Sequence, residues 1–88
     1  MARVEIYSKK WCAFCDRAKA LLDREGIEYT EHDITTDLQG IQTMIKRADG
    51  RRSVPQIFID DQGIGGYSEL AELHQSGELR ERFGGSAD

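Results

Sequence analysis

Hydrophobic and polar positions change period several times along the chain, and each change marks an element. Val4, Ile6 and Tyr7 form a short β-prone run, and SKKW after them reads as a loop. From Cys12 to Glu25 the apolar residues Phe14, Ala18, Leu21 and Leu22 recur at helical spacing, with Gly26 where a helix would end. Ile27 to Ile34 reads as a second strand, with Ile27, Tyr29 and Ile34 as its apolar contacts. Thr36 and Gln39 match a capping box, which predicts a second helix whose apolar face carries Leu38, Ile41, Met44, Ile45 and Ala48 as far as Gly50.

RRSVP predicts an extended approach to Pro55, and QIFID is a compact β-rich run suited to burial on both faces. DQG, between Ile59 and Ile64, predicts a hairpin turn into a short last strand. Ser68 predicts the N-cap of a helix carrying Leu70, Ala71 and Leu73 up to Gly77, and an amphipathic piece from Glu78 to Phe83 closes the fold. The first half of the chain reads as a βαβ unit with parallel strands, and the second half as a hairpin and then a helix. The expected fold class is α/β, one mixed sheet with helices on both faces. A single domain is expected over residues 1–84, with a flexible tail at 85–88.

Eighty-eight residues allow one modest core. With 12 basic and 16 acidic side chains the formal charge is −4, which speaks against a broad footprint on nucleic acid. The N-terminus MARVEIYSKK runs directly into the strand pattern without a stretch long enough for a signal peptide or membrane helix, so a cytoplasmic protein with no membrane partner is expected.

In that compartment the two cysteines, both within WCAFC, read as catalytic or metal-binding rather than as a structural staple. Cys12 stands at a helix start, where free backbone N–H groups and the helix dipole favour a thiolate, and Lys9 and Lys10 add positive charge. Cys15, three residues on, comes to the same face and can close a disulfide with it. It lies a turn deeper, so Cys12 reads as the attacking thiol and Cys15 as the resolving one. A structural zinc site would need four ligands, and only His32 and His74 could complete it, far apart in sequence. Two inert thiols packed in a helix remain the alternative that spacing alone leaves open.

YSKKWCAFC, SVPQIF and GGYSEL occur in that order, and with them the chain resembles the glutaredoxins from Val4 to about Leu79. The resemblance implies a thioredoxin fold of glutaredoxin type, a four-stranded mixed sheet flanked by helices. It also implies a glutathione-dependent thiol–disulfide oxidoreductase that reduces protein–glutathione mixed disulfides and protein disulfides, with glutathione as cosubstrate.

By the family pattern Lys9, Gln42 and Arg52 would face the glycine carboxylate of glutathione, Phe14 would contact it, and Val54 would pair its backbone with the cysteinyl part. Backbone N–H groups at Gly66, Tyr67 and Ser68 would hold the γ-glutamyl carboxylate, with Glu69, where the family usually has aspartate, on the ammonium group. X–Pro bonds are in general trans; the resemblance implies a cis Val54–Pro55 bond, with Pro55 facing the reactive cysteine. The departure is Ala13 and Phe14 where dithiol members usually carry proline and tyrosine. A small residue there, behind a tryptophan such as Trp11, resembles members that hold a two-iron, two-sulfur cluster between two subunits. That likeness implies an alternative to the expected monomer: a dimer in which Cys12 and glutathione bind or transfer such a cluster.

Overall fold

The computed structural model describes residues 3–83, so the expected tail at 85–88 lies outside the described residues. The chain runs β1 (Val4–Ser8), α1 (Ala13–Arg24), β2 (Thr30–Asp33), α2 (Leu38–Arg47), β3 (Gln56–Ile59), β4 (Gln62–Gly65), α3 (Tyr67–Gln75) and α4 (Glu78–Arg82). One four-stranded sheet has the order β2-β1-β3-β4. β1 is parallel to β2 and antiparallel to β3, and β3 is antiparallel to β4, which makes the sheet mixed as expected.

Side-chain alternation in the central strands builds two cores. Val4 and Ile6 of β1, with Ile57 and Ile59 of β3, face one side and pack with Ala18, Leu21 and Leu22 of α1, Leu70 of α3 and Leu79 of α4. Tyr7 and Phe58 face the other side and pack with Ile34, Ala48 and Met44 of α2. All four residues of β3 are buried, as the QIFID run predicts.

Four local expectations are corrected. β2 is shorter than Ile27–Ile34: only Thr30–Asp33 pairs with β1, while Ile27 and Ile34 are buried from the flanking loops. The N-cap of α2 is Asp37, not Thr36, because Asp37 Oδ1 accepts the Gly40 N–H at 3.0 Å, and Leu38, the first helical residue, is 77% exposed. The hairpin turns on Asp60 and Asp61 rather than on DQG, since Ile59 already pairs with Gln62. A two-residue turn of this kind needs positive φ at both positions, and aspartate tolerates it: Asp60 has φ 51° and Asp61 φ 69°. The cap of α3 is Gly66 and not Ser68, because the helix begins two residues earlier, against the proline segment, where a side chain would crowd the Pro55 carbonyl.

One ion-paired cluster fastens α2 to the sheet. Arg47 meets Glu5 of β1 through two bonds, Nη1 to Oε1 at 3.1 Å and Nη2 to Oε2 at 3.0 Å, and donates to Tyr7 Oη at 2.9 Å. Its guanidinium also lies 4.1 Å from the centre of the Phe58 ring. His32 Nε2 stands 3.0 Å from the same Glu5 carboxylate. The Arg47 hydrogen bonds pull the Glu5 carboxyl down to about 2, against the opposing effect of burial. A carboxylate depressed in the folded state stabilises the fold above its unfolded value and loses that contribution as pH falls toward its folded one. Stability should therefore decline between about pH 5 and 2, and Glu5→Gln should flatten that decline by roughly 1–2 kcal/mol in urea titrations, the screened part of such a shift.

Candidate active site

The antiparallel register places Tyr7 opposite Gln56, so the chain leaving β1 and the chain entering β3 emerge at the same end of the sheet. The first carries the thiols and the second carries Val54 and Pro55. Lys10 N–H donates to Thr35 Oγ1 at 2.9 Å, which ties down the loop after β1. Trp11 then turns the chain with φ 58°, a left-handed conformation that bulky residues seldom adopt, and leaves its indole 93% exposed.

Cys12 is the N-cap of α1, in extended conformation. Its Sγ takes the place of a capping oxygen and accepts the Cys15 N–H at 3.2 Å. The same sulfur lies 3.9 Å from the Val54 carbonyl oxygen, with the thiol as donor. Cys12 is half-buried, Cys15 is wholly buried, and both thiols are free. Burial, reinforced by the neighbouring Cys12 sulfur, pushes the Cys15 thiol up to about 12. At neutral pH Cys15 keeps its proton, and Cys12 is the more accessible of the two thiols.

Beside the thiols runs an open groove of about 350 Å³. Phe14 forms one wall, the stretch from Ser53 to Gln56 with Arg51 another, and Gly66 to Glu69 the third. Phe14 and Tyr67 stack across it, ring centres 6.1 Å apart at 30°. The Val54–Pro55 peptide bond is cis.

At the start of α3 Glu69 Oε1 accepts the Gly66 N–H at 2.7 Å, half of a capping box whose other half is missing because glycine has no side chain. A Cβ at Gly66 would come within 3.2 Å of the Pro55 carbonyl oxygen, and one at Gly65 within 2.7 Å of Glu69 Oε1. The two glycines thus let the helix N-terminus press against the proline segment, where its backbone donors suit a carboxylate.

Seven of the residues singled out in the sequence line this groove together: Phe14, Val54, Pro55, Gly66, Tyr67, Ser68 and Glu69. Lys9, Gln42 and Arg52 are exposed and lie outside its lining. Arg51, Ser53 and Gln56 line it without having been assigned to it. The signal for Arg51 was present: in an extended RRS stretch residues 51 and 53 share a side and 52 takes the other. Lys9, Arg51 and Arg52 have no carboxylate partner among the described residues, so an acidic chain still offers free cations around its thiols.

One accessible thiol with a second, buried and protonated, three residues further on is an arrangement suited to disulfide exchange. The protein's class is therefore thiol–disulfide oxidoreductase, on a thioredoxin fold.

Comparison with known proteins narrows the class. The glutaredoxin family model matches residues 4–64. A probable glutaredoxin of Synechocystis sp. is 51% identical over 78 residues, spanning 89% of this chain and 72% of that protein. Glutaredoxin 3 of Escherichia coli strain K12 is 49% identical over 79 residues, spanning 90% of this chain and 94% of that one. Among solved structures, a buckwheat glutaredoxin–glutathione complex superposes with a TM-score of 0.79 at 32% identity, covering 89% of this chain and 73% of the other. A Brucella melitensis glutaredoxin gives 0.79 at 40% identity, covering 92% and 87%. This chain belongs to the glutaredoxin family. No helix among the described residues is long and apolar enough to cross a membrane.

The contrast between the thiols predicts their labelling. Iodoacetamide at pH 7.5 should add one carbamidomethyl group to the reduced protein, at Cys12, and Cys15 should react only after unfolding in denaturant. Peptide mass spectrometry reads both sites, and equal labelling of the folded protein would contradict the buried, protonated Cys15.

Proposed function

We propose that the protein reduces protein–glutathione mixed disulfides with glutathione, and protein disulfides through the Cys12–Cys15 pair. The observation that carries this reading is the placement of Cys12 Sγ at the N-terminal amides of α1, 3.9 Å from the Val54 carbonyl and beside a groove with one cationic and one helix-N-terminal wall. The buckwheat relative's complex with glutathione supports the choice of thiol.

Glutathione is a γ-linked tripeptide with a carboxylate at each end and one ammonium group. Its γ-glutamyl carboxylate would sit at the start of α3 near Gly66, Tyr67 and Ser68, with Glu69 toward the ammonium group. Its glycine carboxylate would meet Arg51, which lines the groove, with Lys9, Gln42 and Arg52 toward its outer end. Its backbone would run along Val54 as an added strand does. In the first step the Cys12 thiolate attacks the glutathione sulfur; a Cys12–glutathione bond forms, the bond to the target breaks, and the target leaves as a thiolate that takes up a proton. A second glutathione thiolate then attacks the glutathione sulfur on Cys12, releasing oxidised glutathione and the Cys12 thiolate. With a protein disulfide, Cys12 attacks one target sulfur and Cys15 displaces it, giving up its proton and leaving the Cys12–Cys15 bridge, which glutathione reduces.

The cysteine variants test these roles. Cys12→Ser should lower glutathione-coupled mixed-disulfide turnover by about a thousandfold or more, as loss of a nucleophile does. Cys15→Ser should retain that turnover and lose most protein-disulfide reduction, and equal loss of both activities would refute the division of labour.

A second reading rests on the surroundings of Cys12, where Trp11 is 93% exposed and the small Ala13 is exposed as well. Among the described residues no group of three or more His, Cys, Asp or Glu side chains could hold a metal, and Cys15 is too deeply buried to serve. One chain therefore contributes one thiolate, and a two-iron, two-sulfur cluster would require Cys12 from two copies together with two glutathione thiols. Reconstitution with iron, sulfide and glutathione should then give a brown dimer with visible absorption that Cys12→Ser cannot form; a colourless monomer would dismiss the cluster.

A further inference from the structure

Gln56 is the first residue of β3 and is only 3% exposed, one of two polar residues in the described core. Its register partner is Tyr7, so its side chain lies on the α2 side of the sheet, yet it does not bond to that helix. Its carboxamide folds back along its own chain: Nε2 donates to the Ser53 carbonyl oxygen at 3.0 Å and to Ser53 Oγ at 3.2 Å. A buried amide spent on a backbone carbonyl three residues upstream fixes one peptide plane, that between Ser53 and Val54.

That plane also contains the Val54 N–H. The Ser53–Val54 bond is trans, as Val54–Pro55 is the one cis bond among the described residues, and in a trans peptide C=O and N–H point in opposite directions. With the Ser53 carbonyl held against buried Gln56, the Val54 N–H faces away from the interior. It has no hydrogen-bond partner among the described residues. Val54 lines the groove, and its carbonyl approaches Cys12 Sγ. The N–H is thus a free donor beside the reacting sulfur, held in direction by one side chain.

We propose that Gln56 is a positioning residue for the disulfide substrate: by anchoring the Ser53 carbonyl it aims the Val54 N–H at a backbone carbonyl of the peptide-like disulfide that Cys12 attacks. The inference rests on the glutathione reading, because only a substrate with an amide carbonyl next to its sulfur can use that donor. Gln56 lines the groove but has no bond to either sulfur, and its amide is engaged with Ser53. Its effect falls on binding and approach, and the reactivity of Cys12 itself is set by α1.

Three variants and two substrates test this. Gln56→Met keeps the side chain's length and removes the donor; Gln56→Glu replaces the donor with an acceptor; Gln56→Arg keeps N–H donors. With a glutathionylated peptide, Gln56→Met should raise KM about tenfold with kcat within a factor of two, Gln56→Glu should raise it at least as much, and Gln56→Arg should stay within threefold of wild type. In single turnover with 5,5′-dithiobis(2-nitrobenzoate), a disulfide with no amide carbonyl, all three should match wild type within twofold. An unchanged KM in Gln56→Met and Gln56→Glu would overturn the proposal. So would a parallel loss on both substrates, which marks a general disturbance of the site. A wild-type protein that does not turn over the glutathionylated peptide would refute the glutathione reading itself, an outcome separate from these.

Discussion

The pairing of β1 with β3 is the constraint on which the rest of this structure depends. It is antiparallel, it lies at the centre of the sheet, and its register sets Tyr7 against Gln56. Two chain segments more than forty positions apart are thereby delivered to one place, the thiols on one and the proline segment on the other. A slip of one position would reverse which residues of β3 face each core. Such a slip is strongly opposed because Ile57 and Ile59 fill the core toward α1 and α3 while Phe58 fills the one toward α2. The accuracy of the site is thus inherited from hydrophobic packing well below it.

The two sulfurs show how a small protein gives different properties to identical groups three positions apart. Cys12 is at the mouth of the helix, half in water, with a backbone donor aimed at it. Cys15 is one turn inside, in surroundings that penalise charge. Charge is distributed with similar economy. Several acidic and basic side chains are engaged with each other away from the groove, as Glu5 with Arg47 and Glu31 with Lys19, while Arg51, which lines the groove, has no carboxylate partner among the described residues. A net negative chain can therefore present a positive approach to an anionic thiol.

How much of this was legible in the sequence depended on distance along the chain. Local patterns were reliable: the spacing of Ala18, Leu21 and Leu22 gave α1, the unbroken apolar run gave a strand buried on both faces, and the position of Cys12 ahead of that helix gave its place as cap. Errors came where two adjacent residues offered the same chemistry and tertiary structure chose. Thr36 and Asp37 both cap helices well, and the path out of β2 selected Asp37. Ser68 is the better cap by type, but the helix begins earlier, at Gly66, where a side chain would crowd the proline segment. Arg51 and Arg52 are chemically alike, and only the direction of an extended strand distinguishes them. Gln56 carried no sequence signal at all, since its partner is a carbonyl that every residue possesses.

Trp11 is the only tryptophan in the chain, it adjoins Cys12, and almost nothing covers it. The molecule thus has an intrinsic fluorophore beside its accessible thiol. Its emission in the free protein is that of an indole in water, so a blue shift or quench on adding another molecule reports contact with the reacting face and not with the remainder of the surface. The same bare indole beside Cys12 makes an encounter at this face of the protein directly visible, with no added label.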